Sequence, residues 1–341
     1  MIDLLPSTEQ EQLAESIARF LGDNLPVERF RGAGRKPDQD LWPRLAELGC
    51  FGLSAPERFG GSGYALTEEV MAFREYGRYL VTPSVLATVL ATRLAAAAGN
   101  EDLCARLAAG EVRGALANPL QGASLGVDGR AVGPFHLIDA HHGDLFLAWT
   151  EGRAALYPVD AFGAAEPQLS LDRTAPLARA QATGVPPLIE LPTTNTRTDL
   201  EASVLIAATL VGMTEAVCAM AVEHAKTRVQ FGHPIGVFQG VKHKCADMAI
   251  AIEASWSQTI YAALTLQAGG TDAAFQALNA KMIASEGAIA SARACIQVHG
   301  GMGFTAEIDA HLFLKRAHLL SLLGLDNRSI KARLLDLPLA S

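Results

Sequence analysis

The residues best suited to chemistry sit in one stretch, Lys226 to Met248, KTRVQFGHPIGVFQGVKHKCADM. Arg228 carries a permanently charged, planar guanidinium whose forked donors can grip two phosphate oxygens at once, and Phe231 offers a flat face for a purine or flavin ring. Gln239 can donate and accept beside a ribose or adenine. Gly232 and Pro234 break the helix that enters the stretch. A second stretch, QVHGGMGFTAE from Gln297 to Glu307, places an amide one helical turn ahead of Gly300 and Gly301. Without side chains, that glycine pair lets main-chain N–H groups approach an anion closely. A surface arginine, a core phenylalanine and a helix-ending glycine pair would explain each feature singly. Together they point to a phosphate-bearing ligand.

Other candidates carry less. His243 and His299 have no partner histidine or carboxylate at ligand spacing and are expected as hydrogen-bonded histidines of a helix bundle, with no metal site. His141 and His142 precede Gly143-Asp144 in a polar, solvated loop, and Asp247 is expected to cap or pair within the bundle. The five cysteines, Cys50, Cys104, Cys218, Cys245 and Cys295, are far apart in apolar settings, as small core residues of a reducing compartment would be. A net charge of -8 without a basic cluster argues against nucleic acid or an anionic membrane as partner. The longest apolar stretch, Ser203 to Ala221, is interrupted by Thr209, Thr214 and Glu215, short of the roughly 18 to 20 residues of a membrane span. The opening MIDLLPSTEQEQ lacks a secretory pattern, so the expected location is cytoplasmic.

The elements that must position these groups read as an α+β, mainly α arrangement. Helical stripes fill an N-terminal domain over 1–111: Leu13, Ile17, Phe20 and Leu21 form one, and Leu41, Leu45 and Leu48 another that ends at Gly49. The glycines from Gly60 to Gly63 follow no strand and read as a tight turn, not a phosphate loop. Over 112–194 the stripes give way to short apolar pieces, His136–Ile138, Leu145–Trp149, Ala154–Val159 and Pro187–Leu191, expected as strands of a small β domain. Over 195–341 four helices return as an antiparallel bundle, about Asp199 to Phe231, Gly240 to Ala268, Asp272 to Gly300, and one after Ala306.

The pattern Arg228, Phe231, Gly232, Pro234, Ile235, Phe238, Gln239, His243, Ala246, Asp247, Met248 closely resembles the carboxy-terminal domain of flavin-dependent acyl-CoA dehydrogenases. So does the block Gln297, Val298, His299, Gly300, Gly301, Gly303, Phe304, Glu307 with His311, Lys315 and Arg316. Pro56, Glu57, Gly60, Gly61, Gly77 and Arg78 extend the resemblance to the first third of the chain. It implies an N-terminal helical domain, a middle β domain, a C-terminal four-helix bundle, and FAD as cofactor. Arg228 would hold its pyrophosphate, Phe231 and Gln239 its adenosine half, and Gln297, Gly300 and Gly301 would approach it with amide and main-chain groups.

The resemblance fails in the middle. Where complete members carry a Thr-Glu-Pro-like turn and a Gly-Ser-Asp loop for the flavin ring and the thioester, this chain reads ALANPLQGASLGVDGR, and the domain is short. Neither usual seat of the catalytic carboxylate is filled: Gly324 or Leu325 occupies one and Ala202 the other, with Asp326 and Glu201 close but out of register. One residue on a helix turns a side chain by about 100 degrees. Helix-dipole stabilisation accounts for Glu201 without chemistry. In the resembling enzymes each flavin lies across a subunit boundary, and this chain keeps the motifs it would contribute to a neighbour. The leading expectation is therefore the shorter, non-catalytic subunit of a heterotetrameric acyl-CoA dehydrogenase, of the bacterial type that acts on steroid side chains. A longer catalytic subunit, an acyl-CoA and an electron-transfer flavoprotein would be its partners. The alternatives are a homomeric dehydrogenase using Glu201 or Asp326 as base, and a non-enzymatic scaffold of the same fold.

Overall fold

The computed structural model describes residues 4–31 and 42–337. Helix α1, Thr8–Asn24, starts in a capping box in which the Ser7 hydroxyl and the Gln10 amide each accept the other residue's N–H, and it buries Ile17 and Leu21 with Leu13 and Phe20 half-buried. Helix α2, Trp42–Glu47, buries Leu45; Trp42 stacks on Phe51 at 4.2 Å and donates to the Gly110 carbonyl at 3.1 Å. Leu41, expected in the same stripe, lies outside the described residues. The chain turns at Gly49 with φ +76°, then through the glycine run as a tight turn with Gly60 at φ +84° and Gly63 at φ +66°. Helices α3, Leu66–Arg78, α4, Ser84–Ala97, and α5, Glu101–Ala108, follow.

The chain forms two compact units that interleave along the sequence. Among the described residues one comprises 42–69 and 81–203, the other 4–31, 70–80 and 204–337. The first contains a mostly antiparallel sheet of β1, Gly114–Pro119, β2, Ser124–Leu125, β3, Ala131–Ile138, β4, Leu145–Trp149, β5, Arg153–Pro158, β6, Glu166–Gln168, β7, Leu177–Thr183, and β8, Ile189–Pro192. Strand order is β6-β7-β3-β1-β4-β5-β8, with β2 on β3; only β1 and β4 run parallel. Phe162 closes the core, edge-on to Phe135, Phe146 and Tyr157 at 5.1 to 5.7 Å. The strands read from sequence are present. The central strand β1 is not signalled by the sequence because its apolar run, Ala115 to Ala117, is short and falls where the family resemblance implies a flavin-binding turn.

After the single-turn α6, Thr193–Thr196, the long α7, Thr198–Thr227, crosses from the first unit into the second. There it joins α8, Gln239–Gln267, α9, Ala273–His299, α10, Ala310–Ser321, and α11, Asn327–Leu334. An 18-residue stretch of α7 has a mean hydropathy of 1.9, so the helix is long and apolar enough to cross a membrane, but 67% of that stretch is buried inside the protein, as for a core helix. Its crossing with α3 is set by two glycines. A Cβ on Gly77 would lie 2.0 Å from the Thr209 carbonyl oxygen, and one on Gly212 would lie 1.8 Å from that of Arg74. Arg74 and Arg78 then both pair with Glu215 beside this contact. Gly212→Ala is therefore expected to cost at least about 1–3 kcal/mol by overpacking and to lower the thermal midpoint by several degrees, measured by calorimetry.

Candidate cofactor-binding site

Helix α7 ends at Thr227, earlier than its periodicity suggested. Residues Val229–Gln230 and His233–Pro234 instead form a two-residue hairpin, with Phe231 at φ +54° and Gly232 at φ +82° in its turn. Both central residues at positive φ match the primed turns that suit strand twist, which the sequence signals only through Gly232. Phe231 sits there against both its backbone preference and its hydrophobicity, with 90% of its surface exposed and only the edge of Phe238 near it, ring centres 6.0 Å apart. Ile235 N–H donates to the Arg228 carbonyl at 2.8 Å, and Gly236 packs so closely on α7 that a Cβ would lie 2.9 Å from the Ala225 carbonyl oxygen.

The side chains of Arg228 and Gln239 are exposed and, among the described residues, make no hydrogen bond or ion pair. Gln239 opens α8, whose N-cap Phe238 supplies no side-chain acceptor, so the positive end of a 29-residue helix faces outward beside Arg228's loop. Between Lys226 and Asp247 there are four cationic side chains and one carboxylate, a local excess of positive charge in a chain of net charge -8. From Gln239 to Ile250 only Met248 is buried. His243 and Asp247 are accordingly exposed, not held within the bundle as expected, because nothing among the described residues covers the first turns of α8. The loop's other face closes a separate apolar cavity of about 390 Å³, lined by Val222, Ala225, Pro234, Val237, Val241 and Cys245.

The second block sits at the end of α9. Gln297 is exposed, and Gly300 leaves the helix at φ +61°, ψ -135°, its N–H on the Gln297 carbonyl. Added side chains on Gly300 or Gly301 would meet no atom within 4 Å, so main chain faces open space there. The structure brings the ends of α7 and α9 together through a contact the sequence did not reveal: the His299 ring stacks on that of His224 of α7 at 4.2 Å. All six residues read from sequence thus lie on the hairpin segment after α7, the last turn of α9 with the turn that follows it, and the start of α8. The chemistry present fits a pyrophosphate-bearing nucleotide: one forked cation, two amides, an uncapped helix start and bare main chain.

Both candidate bases are otherwise engaged. Glu201, 9% exposed, faces the Arg93 guanidinium with both carboxylate oxygens, one of them 3.0 Å from Nε. Arg93 also donates to Glu69 at 2.9 Å and to the Ser54 hydroxyl at 2.6 Å. Burial pushes the Glu69 carboxyl above its ordinary range, with Arg93 opposing. Asp326 is the N-cap of α11, accepting from Ser329 N–H at 2.7 Å, and these bonds hold its carboxyl below the usual range. The preceding turn, with Gly324 at φ +64°, rests on the buried Lys281 ammonium, which donates to the Leu323 carbonyl at 2.6 Å and to that of Leu325. Burial lowers this lysine to about 7.

The fold is a helical bundle with a β unit, and comparison with known proteins names the class. The profile for the acyl-CoA dehydrogenase C-terminal domain matches residues 199–324, and that for the acyl-CoA dehydrogenase N-terminal domain matches 7–114. Acyl-CoA dehydrogenase IpdE2 of Mycobacterium tuberculosis is 32% identical over 321 residues, covering 92% of each chain. The ChsE4-ChsE5 complex from Mycobacterium tuberculosis aligns over 98% of both chains with a TM-score of 0.84 at 18% identity. The Tcur3481-Tcur3483 steroid ACAD aligns over 96% of this chain and 97% of that one with a TM-score of 0.82 at 23% identity. This chain belongs to the acyl-CoA dehydrogenase family, whose members are FAD-dependent flavoproteins.

Among the described residues, Arg93 is the cation that pairs with both carboxylates of this cluster, so removing it gives a measurable pH signature. Arg93→Met leaves both carboxylates buried and unpaired and is expected to cost about 3–5 kcal/mol. A carboxyl whose folded pKa is raised above its unfolded value contributes stability that is present below the unfolded pKa and lost as pH rises through the folded one. The Arg93→Met defect should accordingly be largest near pH 8 and shrink towards pH 5 in urea titrations.

Proposed function

We propose that this chain is one subunit of a heteromeric FAD-dependent acyl-CoA dehydrogenase, contributing the adenosine and pyrophosphate half of a flavin site whose ring-holding half belongs to a longer catalytic partner. The observation that carries the reading is Phe231, an aromatic side chain held at φ +54° and 90% exposed. Strain and exposure combined are found where a ligand or partner completes the environment. In this reading Arg228 forms charge-assisted hydrogen bonds to the pyrophosphate, Phe231 packs on the adenosine half, and Gln239 bonds its polar edge. Gln297 and the bare turn at Gly300-Gly301 close over it from α9. When bound, the cofactor supplies the hydride acceptor for forming an α,β double bond in the acyl chain. The matching proton must leave to a carboxylate, and Glu201 and Asp326 are occupied by Arg93 and by the start of α11. That supports a base on the partner over a self-sufficient homomer. A bulky, steroid-type acyl-CoA, an electron-transfer flavoprotein as acceptor and a cytoplasmic location complete the proposal.

Co-expression with a longer family member that has a complete middle domain and the missing glutamate should give a yellow complex. In it, Arg228→Ala should weaken FAD by about ten- to a hundredfold, the worth of one or two charge-assisted bonds, measured by flavin release on dilution. A yellow, active homomer of this chain alone would overturn the partner requirement, and unchanged flavin affinity in Arg228→Ala would overturn the half-site.

A further inference from the structure

We propose that His224 and His299 are positioning residues: their stacked imidazoles join the arm that carries Arg228 to the arm that carries Gly300 and Gly301 and so set the spacing of the cofactor grip. This rests on the cofactor reading above and adds to it two residues with no place in that reading. The two arms arrive from different helices, and the rings meet at 4.2 Å with only 26° between their planes. His299 is 8% exposed and fixed in orientation. Its Nδ1 lies 2.8 Å from the Cys295 carbonyl oxygen, which can only accept, so Nδ1 carries the proton, with the Cys295 sulfur 3.7 Å away. The backbone of each histidine continues into its arm. The His224 carbonyl accepts the Arg228 N–H at 2.9 Å, and Gly300 follows His299 at the end of α9. A shift of either ring therefore moves a ligand-facing segment.

The contact favours neutral rings. His224 is faced by His299 from α9 and by Arg228 from the end of its own helix, and no carboxylate is among the groups acting on it. His299 faces His224 and the Cys295 thiol, and the thiols of Cys218 on α7 and Cys245 on α8 act on Cys295 in turn. Burial, then His299, then Arg228 hold His224 below the ordinary imidazole range. Once acid does protonate His224, the new cation meets a guanidinium and an imidazole, and the joint loosens.

The test uses the full chain, first without ligand. Hydrogen exchange read by mass spectrometry over 228–240 and 297–304 reports the two arms, and exchange at the imidazole C2 position reports each histidine's titration. At about pH 8, His224→Ala should speed exchange of both arms together by about three- to tenfold, the worth of one aromatic pair. His224→Phe keeps a ring without a proton and should match wild type at about pH 8, but lack the speeding that wild type shows near pH 5.5. With FAD as probe on the partner-bound complex, His224→Ala should weaken binding by a similar factor and His224→Phe should restore it. The joint is refuted if His224→Ala leaves 297–304 unchanged, or if His224→Phe keeps the wild-type acid response. If Arg228→Ala leaves FAD binding intact, the cofactor reading fails instead, and the ligand-free exchange still decides whether the rings couple the arms.

Discussion

The constraint on which the proposed role of the bundle depends is an apolar and cationic surface that the described residues leave uncovered. Helix α8 is buried over its second half, where it packs on α9, and is open to water over its first three turns. The hairpin before it presents Phe231 and Phe238, and the turn after α9 presents Met302 and Phe304, the latter 82% exposed. Burying an aromatic side chain is worth about 1.5–3 kcal/mol, so several left in water in one region represent stabilisation that only another molecule can supply. Holding Phe231 at positive φ adds backbone strain to that exposure. The buried core of the bundle lies elsewhere, in α7 from Val204 to Ala221 and in the small residues of α9 from Ala277 to Cys295.

The molecule treats its charges in two opposite ways. Arg93, Glu69 and Glu201 are drawn out of water and satisfy one another, an arrangement that is rigid and leaves no carboxylate free to take a substrate proton. Lys281 is likewise spent on the carbonyls of the turn before α11. Around the hairpin, Arg228, Lys242 and Lys244 stay solvated and open to an anion. The first arrangement fixes structure, whereas the second keeps charge available. That Glu201 and Asp326 are tied down while the cationic surface around Arg228 is open supports the proposed role of holding a cofactor over that of removing a proton.

The helices, the strands flanking β1, the turn at Gly60 to Gly63 and the family were legible in the sequence, because each rests on local periodicity or on residues fixed at short spacing. Arg228, Phe231, Gln239, Gln297, Gly300 and Gly301 were legible as types for the same reason. Only tertiary structure decided the rest. It ended α7 at Thr227 and turned Phe231 outward, since a primed turn is chosen by the two strands it joins. It brought His224 against His299 across 75 residues of sequence, and it placed Arg93 between two glutamates from different helices. Periodicity reports which face of a helix is apolar. It carries no information on which distant side chain will meet a given group, and that meeting decides whether a carboxylate is a base or a structural anion.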